Sequence, residues 1–172
     1  MLYLLTFLLL GTYHVSFLDF IGKSSHLMIS TIISVGSNID PQKNCDAAED
    51  ILLQETNFKA CAKYIMTEPW GYKDQADFLN GAYWVQTDSD FETFNAYLKS
   101  VEKRLDRIKH GNKAGPRTID LDIIVWDNTI IVDDFYDKDF VRIPVTELIE
   151  AYSLNIKGYP EQDRLEQPAI IH

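Results

Sequence analysis

The sequence is poor in the residues that build redox and zinc sites. Its two cysteines, Cys45 and Cys61, form neither a C-x-x-C nor any metal-ligand spacing, so they read as reduced, partly buried thiols. Histidine is scarce as well. His14, His26 and His172 lie near the ends and His110 sits among cations, which leaves a Ser-His-Asp hydrolase little support. No G-x-x-x-x-G-K-S/T run occurs, so a P-loop is excluded. Positive charge is in the minority: 16 Lys and Arg face 26 Asp and Glu, for a formal charge of −10. Binding along a nucleic-acid backbone needs a broad basic surface, so nucleic acid is not an expected partner. A local basic cluster can still hold a small anion. What is present is ordinary for a globular chain: 172 residues, 46% apolar and 24% charged, enough for one domain with a real core.

Residues 1–18 are apolar and uncharged, and the first acid is Asp19. No Lys or Arg precedes this run and no small-residue cleavage site follows it, as a signal peptide requires. The run is also short for a spanning helix. Met28 stands just ahead of the first folded segment, so the favoured reading is a start assigned too early, with an anchor and a signal peptide as the alternatives. On that reading the protein is cytoplasmic, and a membrane is involved only if the leader is a true anchor. The expected division is a leader over 1–27, a domain over 28–150 and a tail over 151–172.

Ile29 to Val35 is β-branched and partly alternating and predicts a strand, closed by Gly36-Ser37-Asn38. Asp40-Pro41 then supplies an N-cap with proline at the first helical position, and Ala47, Ala48, Ile51 and Leu52 continue with helical spacing. Phe58 to Met66 predicts a second strand and Phe78 to Gln86 a third. Between them Glu68 to Ala76 forms a loop long enough to suggest a functional role. Asp90 is expected to cap a helix reaching about Ile108. A basic loop over 109–116 leads into a fourth strand, Ile119 to Trp126, and Asp127-Asn128 turns toward a short hairpin partner at Ile130 to Val132. Past Pro144 the pattern weakens to a short helix over Val145 to Ala151. The order β-α-β-β-α-β predicts an α+β, ferredoxin-like sandwich with a small C-terminal appendage.

The strongest chemical signal is Gly115-Pro116-Arg117-Thr118-Ile119-Asp120-Leu121-Asp122. Period-two alternation puts Asp120 and Asp122 on one face of a strand and Leu121 on the other. Two such carboxylates repel and cost desolvation unless a hard cation relieves them. Mg²⁺ is usually held by one or two carboxylates together with substrate phosphates. Upstream, Arg107, Lys109, His110, Lys113 and Arg117 fall within eleven residues. Cations beside a two-carboxylate site suit polyphosphate transfer, where charge spreads over phosphoryl oxygens. Trp70, Tyr72 and Phe78 surround a loop that also supplies Gln75, Asp77 and Asn80. Aromatic faces with amides suit a flat heterocycle, although core packing alone would explain Phe78.

From about Ile29 to Trp126 these elements resemble the hydroxymethyl-dihydropterin pyrophosphokinase family. The likeness lies in Gly36-Ser37-Asn38, in Thr67-x-Pro69-x-Gly71 with Asp74-Gln75-x-Asp77-Phe78-Leu79-Asn80, and in Arg107 followed by Gly-Pro-Arg117-Thr-x-Asp120-x-Asp122. The resemblance implies transfer of pyrophosphate from ATP to the 6-hydroxymethyl group of 6-hydroxymethyl-7,8-dihydropterin, with release of AMP, in folate synthesis. It implies two Mg²⁺ ions held by Asp120 and Asp122, and nucleotide contacts from Glu102, Arg107, His110 and Arg117. Arg107 and Arg117 would stabilise the transferring group, and Thr67, Trp70, Phe78 and Asn80 would hold the pterin. A monomer or weak dimer is expected. Three departures stand out. Ala114 replaces a usual Trp, Pro144 is followed by Val145 and Thr146 where Pro-His is usual, and no Arg-Gly-Phe segment follows to give a second pterin-stacking aromatic. Tyr152 is a poor replacement. The rival readings are an inactive module of the same fold, which the altered C-terminus favours, and a nucleotidyltransferase. The roughly eighty residues between Gly-Ser and the acid pair count against the latter.

Overall fold

In the first strand, β1 (Ile29–Ser37), Ile33 and Val35 enter one apolar cluster and Ile32 enters another. Burial on both faces marks a central strand, and the sheet is built around it. The structure, a computed structural model, describes residues 28–108 and 114–160. After β1 come α1 (Pro41–Glu55), β2 (Asn57–Cys61), β3 (Ile65–Thr67), β4 (Phe78–Thr87), α2 (Phe91–Arg104), β5 (Asp120–Trp126), β6 (Thr129–Ile130), α3 (Asp134–Asp137) and α4 (Asp139–Ala151). The sheet order is β2-β4-β1-β5-β6, β3 also pairs with β4, and these pairings are antiparallel. Taking β2 and β3 as one interrupted strand, this is the α+β, ferredoxin-like order. The interruption differs from the single strand expected over Phe58 to Met66. The register slips between Phe58 and Ala60, and in the gap the Ala62 amide bonds to the Ala82 carbonyl at 2.9 Å. The leader at 1–27 and the centre of the basic loop, 109–113, lie outside the described residues.

Helices α1 and α2 cover one face of the sheet. Cys45, Ala48 and Leu52 on α1 and Phe94, Leu98 and Val101 on α2 recur at helical spacing and are buried against Ile33, Val35, Leu121 and Ile123. The N-terminus of α2 is as expected: the Asp90 carboxylate accepts from the Thr93 amide at 2.8 Å. That of α1 is not. Pro41 opens the helix, but Asp40 is left-handed at φ 43°, ψ 52° and makes no side-chain cap bond. Side-chain capping needs an extended backbone at that residue, and here the sharp exit from β1 takes precedence.

Helix α2 stops at Arg104 rather than near Ile108. Asp106 adopts φ 57°, its amide donates to the Lys103 carbonyl at 3.2 Å, and the Arg107 amide donates to the Glu102 carbonyl at 3.0 Å. This Schellman pattern closes the helix and turns Arg107 back toward β5.

The other face carries a third layer, larger than a small appendage. Helix α4 runs from Asp139 rather than Val145, because Val141, Val145, Leu148 and Ile149 keep one buried stripe that runs straight past Pro144. Lacking an N–H, Pro144 cannot donate to the Phe140 carbonyl, yet that stripe against Ile32, Ala82 and Ile124 holds the helix together. Beyond it, Leu154, Ile156 and Tyr159 pack into the same cluster, and the Lys157 amide bonds the Asn128 carbonyl at 2.8 Å.

Candidate active site

Alternation along three strands makes the site's floor. Gly36 is paired with Asn80 on one side and Asp120 on the other, and Ser34 is paired with Asp122. These residues face the third layer, which covers only part of the sheet and leaves a cleft of about 320 Å³. Asp120 and Asp122 both line it, while Leu121 between them is fully buried under α2. Gly36 is needed here: a Cβ would come within 3.0 Å of the Asn80 side-chain oxygen. The 5%-exposed Asn80 amide in turn donates to the Thr67 hydroxyl at 2.8 Å.

The acid pair is charge-compensated. One Asp120 oxygen pairs with the Arg107 guanidinium and the other with Arg117, so both arginines converge on one carboxylate. The 2%-exposed Glu102 stands behind them rather than in the cleft. It accepts from the Leu121 amide at 2.9 Å and lies 3.5 Å from Arg107 Nε. Glu102 thus ties the end of α2 to β5 and to Arg107. Lys99 carried no recognisable signal in the sequence. Its ammonium reaches Glu102 at 2.7 Å, the Leu121 carbonyl at 2.7 Å and Asp122 at 2.9 Å. Burial disfavours the charged lysine, but Asp122 and Glu102 outweigh it and its pKa is raised.

Asn38 joins the two loops that flank the cleft. Its side chain donates to Gln75 at 3.1 Å and to the Ala76 carbonyl at 3.0 Å, and accepts from the Arg117 amide at 2.8 Å. Gln75 continues to the Ala114 carbonyl at 2.8 Å. Ala114, standing where a Trp was expected, allows a close approach, its Cβ lying 3.5 Å from where a Cβ on Gly71 would sit.

Thr67, Trp70, Phe78 and Asn80 all line the cleft, and Arg117 lies over the Phe78 ring at 5.6 Å. Tyr72 is not among the lining residues. Tyr152 is directed elsewhere, packing on Trp84 with ring centroids 5.2 Å apart. A second aromatic does reach the cleft. Phe140, from the start of α4, lines it and meets Trp70 at 6.4 Å between ring centroids. The sequence reading missed it because the segment before α4 is short and Phe140 stands in Lys138-Asp139-Phe140 rather than Arg-Gly-Phe. Lys138 and Asp134 line the same end, paired at 2.6 Å. Of the site residues expected from sequence, His110 lies outside the described residues.

The donor set fits Mg²⁺. Asp120 and Asp122 offer hard carboxylate oxygens on one wall of the cleft, with room beside them for phosphate oxygens. Among the described residues no group of three or more His, Cys, Asp or Glu forms an all-protein cage.

Known proteins match this chain over much of its length. It is similar to the 2-amino-4-hydroxy-6-hydroxymethyldihydropteridine pyrophosphokinase of Haemophilus influenzae, at 27% identity over 70% of this chain and 82% of that protein. The enzyme of the same name from Bacillus subtilis is 30% identical over 69% of this chain and 77% of its own length. A folate synthesis bifunctional protein from Arabidopsis thaliana is 26% identical over 77% of this chain, which spans 29% of that longer protein. The family model for 7,8-dihydro-6-hydroxymethylpterin-pyrophosphokinase matches residues 32–150, from the central strand through most of α4, and the chain belongs to that family.

Proposed function

We propose that this chain transfers pyrophosphate from ATP to the 6-hydroxymethyl group of 6-hydroxymethyl-7,8-dihydropterin in folate synthesis. The observation that carries the reading is one cleft holding two chemistries. Asp120 and Asp122 with Arg117 lie at one part of it, and Phe78, Asn80, Thr67 and Phe140 at another. The first set suits a metal–triphosphate and the second a flat heterocycle bearing hydrogen-bonding edges. Phe78 and Phe140 would supply the aromatic contacts, Asn80 and Thr67 would fix the ring's orientation, and Trp70 would help close the cleft.

In the reaction the hydroxymethyl oxygen bonds to the β-phosphorus. The bond from that phosphorus to the α,β-bridging oxygen breaks, AMP leaves with the bridging oxygen, and the hydroxyl proton is released. Bound Mg²⁺, expected as two ions, would neutralise charge on the phosphates and draw them into line. Arg107 and Arg117 are held at this spot by Asp120, Glu102 and the turn after α2, so their charge is in place before the phosphates arrive. Asn38 couples the loops on both sides of the cleft, which would keep water from the β-phosphorus once both substrates are bound.

No helix among the described residues is long and apolar enough to cross a membrane. The same reading makes this a cytoplasmic enzyme, a monomer or weak dimer, whose partners are ATP and the pterin. The test is AMP release from Mg²⁺-ATP with and without 6-hydroxymethyl-7,8-dihydropterin. The expected result is pterin-dependent AMP that disappears in Asp122→Ala. No AMP from folded wild-type protein would favour an inactive module, and AMP release indifferent to the pterin would contradict the substrate assignment.

A further inference from the structure

Lys99 is placed as no surface lysine would be. An ammonium has three N–H donors, and here three acceptors at 2.7, 2.7 and 2.9 Å take them: Glu102, the Leu121 carbonyl and Asp122. Two of these are scaffold, since the Glu102 side chain is 3% exposed and Leu121 belongs to the core. Only Asp122, with a side chain 57% exposed, faces the cleft. The ammonium thus rests where a bound monovalent cation would, tethered to α2 and seated on one oxygen of a carboxylate expected to ligate metal.

The local charge count gives this consequence. Among the described residues the cluster holds three acids, Glu102, Asp120 and Asp122, and three cations, Lys99, Arg107 and Arg117. Their formal charges cancel. A neutral cluster offers a free divalent ion two carboxylates but no net attraction, and the nearest cation repels it at short range. A nucleotide's phosphates bring several negative charges and change that balance.

We propose that Lys99 is a built-in counter-cation for Asp122 that suppresses binding of a free divalent ion, so that the cleft takes up metal only together with nucleotide phosphates. The proposal rests on the pyrophosphokinase reading of the acid pair. It makes Lys99 a positioning and selectivity residue, acting through Asp122 rather than on the substrate.

The experiment is titration of the full chain with Mn²⁺, followed by electron paramagnetic resonance, with and without a non-hydrolysable ATP analogue. Without nucleotide, Lys99→Met should bind Mn²⁺ at least about tenfold more tightly than wild type, because the cluster then carries one net negative charge. Lys99→Arg, which keeps the charge, should behave as wild type. With the analogue present the difference between Lys99→Met and wild type should shrink. Should Lys99→Met fail to fold, Lys99→Gln makes the same charge change. Unchanged or weaker Mn²⁺ binding by the neutral variant, or equal tightening in Lys99→Arg, would overturn the proposal. Failure of wild type to take up Mn²⁺ even with the analogue, or uptake that survives in Asp122→Ala, would overturn the metal assignment itself and this proposal with it.

Discussion

The two faces of the sheet are built from the same strands and do opposite work. On the α1–α2 face, Ile33, Val35, Leu121 and Ile123 are buried in a closed apolar layer. On the other face the alternating residues Ser34, Gly36, Asp120 and Asp122 are polar or small, and α3 and α4 leave part of them open as the cleft. In β5 the two roles interleave residue by residue. Because strand side chains alternate, one face can hold the fold while the other carries charge the core would reject. Stability and catalysis should therefore separate between neighbours in sequence.

Substitutions along β5 test that separation most strongly. Asp122→Ala should lower kcat by about a hundred- to a thousandfold while leaving thermal stability close to wild type, since Asp122 is exposed on the cleft side. Leu121→Ala should do the reverse, destabilising the fold by about 2–5 kcal/mol in denaturant unfolding while the fraction still folded turns over normally. Equal losses of both properties in both variants would break the comparison. Gly36→Ala is the next largest effect. Its Cβ meets the Asn80 oxygen, so the KM for pterin should rise about tenfold with little change in the KM for ATP.

The sealed face should also be chemically silent. Burial pushes the Cys45 and Cys61 thiols up to about 12, so neither should react with iodoacetamide at pH 8 until the protein unfolds. Rapid labelling of native protein would show that this layer opens. The smallest effect sits at the layer's rim, where the Arg104 fork binds both Glu55 oxygens at 2.8 Å and holds that carboxyl below its usual range. A lowered folded pKa means the contribution is present above the ordinary carboxylate range and lost as pH falls through the folded value. Melting curves of wild type and Glu55→Gln should accordingly converge under acid conditions.

Most of the floor was legible because its signals are local. Alternation alone put Asp120 and Asp122 on one face and Asp90 capped its helix, while β1 runs past the expected end at Val35 to Ser37. What escaped depended on distant contacts. Asp40 looked like a cap, but the exit from β1 fixes its backbone first. The end of α2 is set by a left-handed Asp106 that no glycine announces. Lys99 reads as one more exposed helical lysine until β5 is placed beside it. Phe140 gains its meaning only once α4 is docked on the second face, and Pro144 obscured the apolar stripe that docks it.

The most direct test of the two-faced account asks whether the third layer completes the substrate site. Pterin affinity would be measured by fluorescence titration in the presence of a non-hydrolysable ATP analogue, for wild type, Phe78→Ala, Phe140→Ala and Tyr152→Ala. Loss of one aromatic contact should weaken binding about tenfold in each phenylalanine variant, with Tyr152→Ala unchanged. Wild-type affinity in Phe140→Ala, or a loss confined to Tyr152→Ala, would contradict the assignment of the pterin to the cleft between the sheet and α4.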